Sequence, residues 1–347
     1  MIRKSTFSLK FANQKKIDAL NRFMDECLRV TNVFIDLLWE VQTPKFPNLK
    51  TETWLSARAQ QNLSKQAAEV VRSQHKRKKK AKPELRRQAI SLDFRFVDIR
   101  FDENSFDVWL KLSSLGGKMI LKLPMQKHRH FNKFINDGWK MKEGCRLRKT
   151  DKGVFVDLYL QKSEPATRKT GKSVGFDCGY KKLLVDSEGR IHDVGLEPIY
   201  EKIARKRQKS KAFYRALDER DNAINRTINA ISLENVKHIV AEDLKCVKKN
   251  SRGKIRKKFN DKLQRWSYPK VLEKLSRVCE EMGIAFTKVN PAYTSQKCSS
   301  CGHIDKRSRK GESFVCMSCG MRMDADCNAA INILHRGVFS HSAAERA

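Results

Sequence analysis

Acidic residues are scarce in this chain. Its 347 residues contain 39 Asp and Glu against 73 Lys and Arg, a formal excess of +34. An excess of that size repels itself on compaction unless a polyanion neutralises it. The basic residues are spread over the whole chain and not along one amphipathic helix, which argues against an anionic membrane surface and for a nucleic acid with a large footprint. Long apolar runs are missing too. No stretch approaches the length of a membrane span, and the N-terminal MIRKSTFSLKF has no apolar signal region. Ten cysteines without a secretory signal point to a reducing compartment, so the expected location is cytoplasmic. Hydrophobic residues make up 40%, slightly low but enough for two or three domains with a sizeable core.

Residues 1–11 alternate apolar and basic and read as a strand. Apolar stripes at helical spacing follow over 14–41 and 51–81, separated by a Pro-containing break at 44–48. The second stripe ends in a basic run with Lys76, Arg77, Lys78, Lys79 and Lys80, a candidate phosphate-contacting segment. Residues 90–99, 105–112, 118–123, 145–149 and 154–160 carry strand patterns with turn signals between them. The expectation for the first half is an antiparallel β-barrel over 1–12 and 84–163 with a helical domain, 13–83, inserted. Residues 164–172 read as a linker.

The second half changes character. A buried strand at 173–179 is followed by hairpin partners at 182–185 and 190–194. A long basic helical stretch over 199–233 contains Arg205, Lys206 and Arg207. Then come a strand at 238–244, a basic segment at 245–265 with Arg256, Lys257 and Lys258, a helix at 266–282 and a strand at 284–289. Three strands, helix, strand, helix, strand, helix is the order of an RNase H-like α/β core, expected over 173–290 and 322–347.

Between that core's last strand and last helix lie Cys298, Cys301, Cys316 and Cys319, two CxxC pairs with 14 residues between them. Each pair can sit on a tight turn that aims both thiolates at one tetrahedral Zn2+. Four thiolates leave no open position, so one structural zinc is expected, in a ribbon over 291–321. The other six cysteines, Cys27, Cys145, Cys178, Cys246, Cys279 and Cys327, share no spacing and read as packed thiols.

Three acids fall at element ends of the core. Asp177 lies in the first strand, Glu242 closes the strand after the long helical stretch, and Asp326 opens the last helix. Carboxylates without histidine or cysteine suit hard cations, Mg2+ or Mn2+, and two such ions about 3.5–4 Å apart can hold and cleave a phosphodiester. Asp324 competes with Asp326 for the third place and Asp243 with Glu242 for the second; Asp326 and Glu242 are preferred. Gly175 and Gly179 flank Asp177, which suggests close backbone approach to a substrate.

The segments Gly175-Phe176-Asp177-Cys178-Gly179, Val240-Ala241-Glu242-Asp243-Leu244, the block from Asn290 to Gly302 and the run from Asp324 to Ile333 resemble the RuvC and zinc-ribbon motifs of the OrfB/TnpB proteins of insertion sequences, motifs shared with compact type V CRISPR effectors. The resemblance covers about half the chain by motif, residues 173–336; the first half resembles the family only in its wedge-like barrel with an inserted helical region. It implies an RNA-guided DNA endonuclease of the prokaryotic cytoplasm, associated with the nucleoid, whose partners are a guide RNA and target double-stranded DNA and not a membrane. It implies a triad of Asp177, Glu242 and Asp326 and zinc held by the four ribbon cysteines. A transposon transcript and a CRISPR array both remain open as guide source. So do one copy or a homodimer on one guide, and a guided DNA-binding repressor or a strand-transfer enzyme of transposition as alternatives to the nuclease.

Overall fold

A computed structural model describes residues 1–40, 47–78, 81–102, 105–193, 195–245, 261, 263 and 265–344, with side chains to 338. The chain divides into two compact units, residues 1–163 and 164–347. Among the described residues no helix is long and apolar enough to cross a membrane.

In the first unit β1 (Ile2–Ser8) leads to α1 (Gln14–Trp39) and α2 (Ala57–His75). Asn13 and Ser56 cap the two helices by accepting from the N–H groups of Lys16 and Ala59. The helices pack on each other through Leu20, Phe23, Cys27, Val30 and Phe34 of α1 and Leu63, Ala67 and Val71 of α2, all buried. The strands β2 (Ala89–Leu92), β3 (Val97–Phe101), β4 (Val108–Leu112) and β5 (Leu121–Met125), helix α3 (Arg129–Asn136), then β6 (Lys140–Met141), β7 (Cys145–Thr150) and β8 (Gly153–Gln161) complete the unit.

These strands form two antiparallel sheets, β1-β8-β7-β2 with β6 on β8, and β3-β4-β5. The expected barrel is thus a two-sheet arrangement in its described pairings. The single strand expected over 90–99 is two strands, one in each sheet. Asp93 causes the break: its carboxylate accepts from the Arg95 backbone N–H at 3.0 Å and pairs with the Arg95 guanidinium, and its carbonyl accepts from Phe96. Helix α3 was not expected from the strand-like pattern around it. Its N-cap is His128, a residue outside the usual capping set, which accepts from Phe131 N–H at 3.3 Å.

The second unit contains β9 (Lys172–Asp177), β10 (Leu184–Asp186), β11 (Ile191–His192), α4 (Leu196–Ala204), α5 (Lys211–Asn229), β12 (Val236–Glu242), α6 (Tyr268–Met282) and β13 (Ala285–Val289). The ribbon strands β14 (Arg309–Lys310), β15 (Ser313–Val315) and β16 (Arg322–Asp324) precede α7 (Ala325–Ala344). The central sheet runs β11-β10-β9-β12-β13; β10 is antiparallel to both neighbours, while β9, β12 and β13 are parallel. The long helical stretch expected over 199–233 is two helices. Lys209 adopts φ 66°, a left-handed conformation no helix continues through, and Ser210 caps α5 by accepting from Phe213 N–H.

Both faces of this sheet are covered. Val174, Phe176, Ile239 and Ala241 pack with α4, α5 and α6, whereas Val240 and Val289 pack with Ile333 of α7. Gly175 shares the α7 face. A Cβ there would lie 2.2 Å from the carbonyl oxygen of Ala330 and 2.8 Å from Leu334 Cβ, so α7 can rest on β9 only because position 175 has no side chain. The replacement Gly175→Ala should therefore cost about 1–3 kcal/mol or more, read as a lowered urea midpoint. An unchanged midpoint would show that α7 does not rest on β9 this closely.

Candidate active site and metal centre

Strand periodicity aims two of the acids. In β9, Gly175 faces α7, so Asp177, two residues on, emerges on the same side. In β12, Val240 faces α7 and Glu242 follows it with the same parity. The strands are parallel and Ala241 pairs with Phe176, so the two acids end neighbouring strands one step past that pair. Asp326 stands in the first turn of α7, the helix that covers this face. Asp243 has the opposite parity; its N–H donates to Val289 O at 2.7 Å and it lines a groove on the other side with Lys245, Tyr268 and Lys288. Asp324 is occupied as the helix cap, accepting from the N–H groups of Asp326 (2.9 Å) and Cys327 (3.0 Å), and it binds Lys182 at 2.9 Å.

The electrostatics couple the three acids. Burial, then repulsion from Glu242 and Asp326, raises the Asp177 carboxyl from its ordinary 3.8 to about 7, against a smaller opposing pull from Arg309. Burial also raises Glu242, opposed by the hydroxyl of Thr294, which donates to Glu242 Oε1, and by the charges of Arg336 and Arg309. Asp326 is held by two bases. Arg309 Nη2 donates to its Oδ1 at 2.7 Å and Lys182 Nζ lies 3.5 Å from Oδ2. Burial first, and the neighbouring carboxylates second, push Asp177 toward neutrality; among the described residues the four cysteines are the group whose ligand atoms lie within 4.8 Å of one another, and the three acids do not close to that distance.

Gly175 and Gly179 serve the protein itself. Gly175 admits α7, and a Cβ at Gly179 would meet Lys182 O at 2.5 Å in the β9–β10 turn. The expected approach of substrate backbone at these positions is thereby replaced by internal packing.

The four cysteines gather where their spacing predicts. Their sulfur atoms lie within 4.8 Å of one another, with Cys298–Cys319 at 3.8 Å and Cys301–Cys316 at 3.6 Å. A tetrahedral ion with Zn–S bonds of about 2.3 Å needs sulfur separations of about 3.8 Å, so the set fits zinc. N–H groups of Cys319 and Ser318 point at Cys316 Sγ, both at 3.4 Å, and hold that thiol down at about 6. The apolar core around the ribbon is small: Cys298, Phe314, Cys316 and Ala325 at the start of α7, with Met321 and Met323 partly buried against them. An ion held by the four thiolates would add the closure that so small a core lacks.

Several residues that position the site were not singled out from sequence. Asn328, Asn332 and Arg336 lie at i, i+4 and i+8 on α7. Asn328 donates to Lys297 O (2.8 Å) and accepts from Ser299 N–H (2.9 Å). Asn332 donates to Thr294 O (3.0 Å) and Lys297 O (2.7 Å), and Arg336 to Ala292 O (2.9 Å) and to Asn290 O. This ladder fixes the loop entering the ribbon and with it Thr294. Asn328 and Asn332 are both buried, an unusual place for an amide and a signal readable in the i, i+4 spacing. Arg309 and Lys182 carried no such signal. Of the expected nucleic-acid residues, Lys76, Arg77 and Lys78 follow α2 and are exposed, and Arg205, Lys206 and Arg207 are exposed in the α4–α5 connection. Lys79, Lys80, Arg256, Lys257 and Lys258 lie outside the described residues, as does Cys246.

Two outcomes follow. A carboxyl whose folded value lies above its unfolded one keeps its proton longer in the folded chain, so ionising it weakens the fold. For Asp177 that loss accumulates between about pH 4 and about pH 7 and is complete above it. Asp177→Asn should raise stability at pH 8 without added divalent metal, on the order of 2–4 kcal/mol, and leave it unchanged near pH 4. Thermal unfolding at both pH values checks this; a variant no more stable at pH 8 would show that the acids are not crowded. For the ribbon, Cys298→Ser should bind markedly less zinc by elemental analysis and unfold at lower temperature, and full zinc occupancy would contradict the four-thiolate assignment.

The family model of the Cas12f1-like TNB domain matches residues 268–333. The CRISPR-associated endodeoxyribonuclease Cas12f1 of Sulfoacidibacillus thermotolerans is 47% identical over 72 residues, 20% of this chain and 17% of that protein, so the likeness spans a small part of the effector's length. A TnpB-like protein of Aquifex aeolicus is 26% identical over 252 residues, 60% of this chain and 82% of its own length. A Methanocaldococcus jannaschii protein that carries a transposase name is 35% identical over 78 residues, 20% of this chain and 72% of its own length. Among solved structures, a cryo-EM structure of a Cas12f1–sgRNA–target DNA complex matches with TM-score 0.59 at 14% identity, covering 92% of this chain and 83% of that one, a likeness of fold. A topology of RNase H type, four cysteines between its last strand and last helix, and these relatives agree: the chain belongs to the OrfB/TnpB family, which is related to the type V CRISPR effectors.

Proposed function

We propose that the chain is an RNA-guided DNA endonuclease with one RuvC-like site formed by Asp177, Glu242 and Asp326. The observation that carries the reading is the electrostatic coupling of three acids that arrive from β9, β12 and α7. The names of the relatives, a Cas12f1 endodeoxyribonuclease among them, support the same class of activity. In this reading the sheets and helices of residues 1–163 and the basic segments around 199–265 hold the guide RNA and its pairing with target DNA. Base pairing then reads the sequence. The +34 excess supplies the backbone affinity.

The three carboxylates would hold Mg2+ or Mn2+, two ions by the number of oxygens on offer. Bound there, the metal supplies an activated water and stabilisation of the leaving oxygen. The chain's own residues prepare that site. Thr294 fixes one oxygen of Glu242, so the carboxylate presents the other. Lys182 and Arg309 set the orientation of Asp326. Arg309 also brings a planar fork of donors to the site, the geometry that suits a phosphate oxygen. Asp177, poised near 7, gives up its proton readily when positive charge arrives. All three acids are present, which favours a nuclease over a repressor that only binds DNA. Strand transfer would use the same acids with a different nucleophile, and it would yield joined products without RNA.

Asp177→Ala should lower divalent-metal-dependent DNA cleavage about a thousandfold or more while RNA and DNA binding persist. Because removing this carboxylate is expected to stabilise the fold, unfolding does not explain such a loss. Undiminished cutting by the variant would sink the assignment.

A further inference from the structure

Tyr293 has φ 64°, and among the described residues it is the one aromatic in the left-handed region. That conformation suits Gly or Asn and is strained for a residue with a Cβ. Among the described residues nothing offsets the cost through the side chain. The residue is 57% exposed, and among the described residues its ring and hydroxyl make no contact of aromatic, cation–π or hydrogen-bond type. The backbone, by contrast, is over-determined. Tyr293 O accepts from Gln296 and Lys297 N–H, both at 3.0 Å. Arg336 holds the carbonyl of Ala292 on one side and Asn332 that of Thr294 on the other. The fold therefore presents a bare aromatic ring on a rigid loop. The next residue, Thr294, bonds Glu242.

An exposed aromatic ring on a held backbone, one residue from the threonine that bonds Glu242, suits a stacking platform for a nucleobase, and every base has a face to offer it. We propose that Tyr293 stacks on an unpaired base of the DNA strand that lies at the three acids and so sets where that strand sits. Stacking needs a base free of its partner, so the substrate class at this spot is single-stranded DNA and not an intact duplex. The inference rests on the nuclease reading for the strand's presence there. The backbone strain is the cost of aiming the ring outward when the fold would run more cheaply with Gly at 293.

The test has an arm that needs no cleavage. Full-length protein carrying Asp177→Asn is mixed with single-stranded DNA in which thymines are replaced by a halogenated uracil, irradiated, and digested for mass spectrometry. Crosslinking at Tyr293 is expected, retained by Tyr293→Phe and absent from Tyr293→Gly. Gly keeps the left-handed backbone, so the loop survives loss of the ring. Crosslinks confined to other residues would overturn the proposal, whatever the protein cuts. In the second arm, with the acids intact, Tyr293→Gly should slow cutting about fivefold or more and Tyr293→Phe should not. Full-rate cutting by Tyr293→Gly would overturn the stacking role and leave the nuclease reading standing. Absence of cutting by every protein, with crosslinking at Tyr293 intact, would retain the stacking site on a chain that binds DNA without cleaving it.

Discussion

Helix α7 lies against β9 at a separation that position 175 permits only as glycine. Much of the candidate site hangs on that contact. It sets the start of α7, and so Asp326, on the face of the sheet where Asp177 and Glu242 emerge. It also fixes the line of Asn328, Asn332 and Arg336, which holds the loop before the ribbon by its backbone carbonyls. One helix thus carries an acid at its first turn and, along one side, the groups that hold Thr294 against Glu242. A change in how α7 rests on the sheet would move all of these together.

The acids themselves oppose this arrangement. Three carboxylates approach one another in a chain that is otherwise short of negative charge, and their repulsion adds to desolvation in raising Asp177 to about 7. Arg309 and Lys182 relieve part of that strain at Asp326. Lys182 reaches in from the β9–β10 turn and Arg309 from the first ribbon strand, β14. Lys182 also pairs with Asp324 and with Glu312, which links the turn to the ribbon hairpin. The four-cysteine centre acts at the same place by indirect means. An ion there would close a ribbon with a small apolar core, and that ribbon carries Arg309.

The parts of this picture legible in the sequence are those whose chemistry is local. The CxxC spacing is enough to place four thiolates, because each pair needs only its own turn. The order of strands and helices in the second half was readable because apolar periodicity survives there on both faces of the sheet. The acids were legible as element ends. The parity that separates Glu242 from Asp243 was not, because it depends on which face α7 covers. Elsewhere a single residue defeats the pattern, by a side-chain hydrogen bond at Asp93 and by backbone conformation at Lys209. Asp93 turns one alternating run into strands of two sheets, and Lys209 breaks a basic helix without a glycine or proline to mark it. Gly175 and Gly179 were visible as unusual residues, yet the need they meet is internal packing. Arg309, Lys182 and Thr294 came to light only through tertiary structure, since each acts on a residue distant in sequence.

The central claim is that Asp177, Glu242 and Asp326 form one cation site. Anomalous diffraction at the manganese edge, from crystals of the full chain grown with Mn2+, tests it most directly. The expected result is manganese within coordination distance of all three carboxylates, with the zinc signal separate at the four cysteines. Manganese bound to a single one of these acids, or to none of them, would contradict the claim.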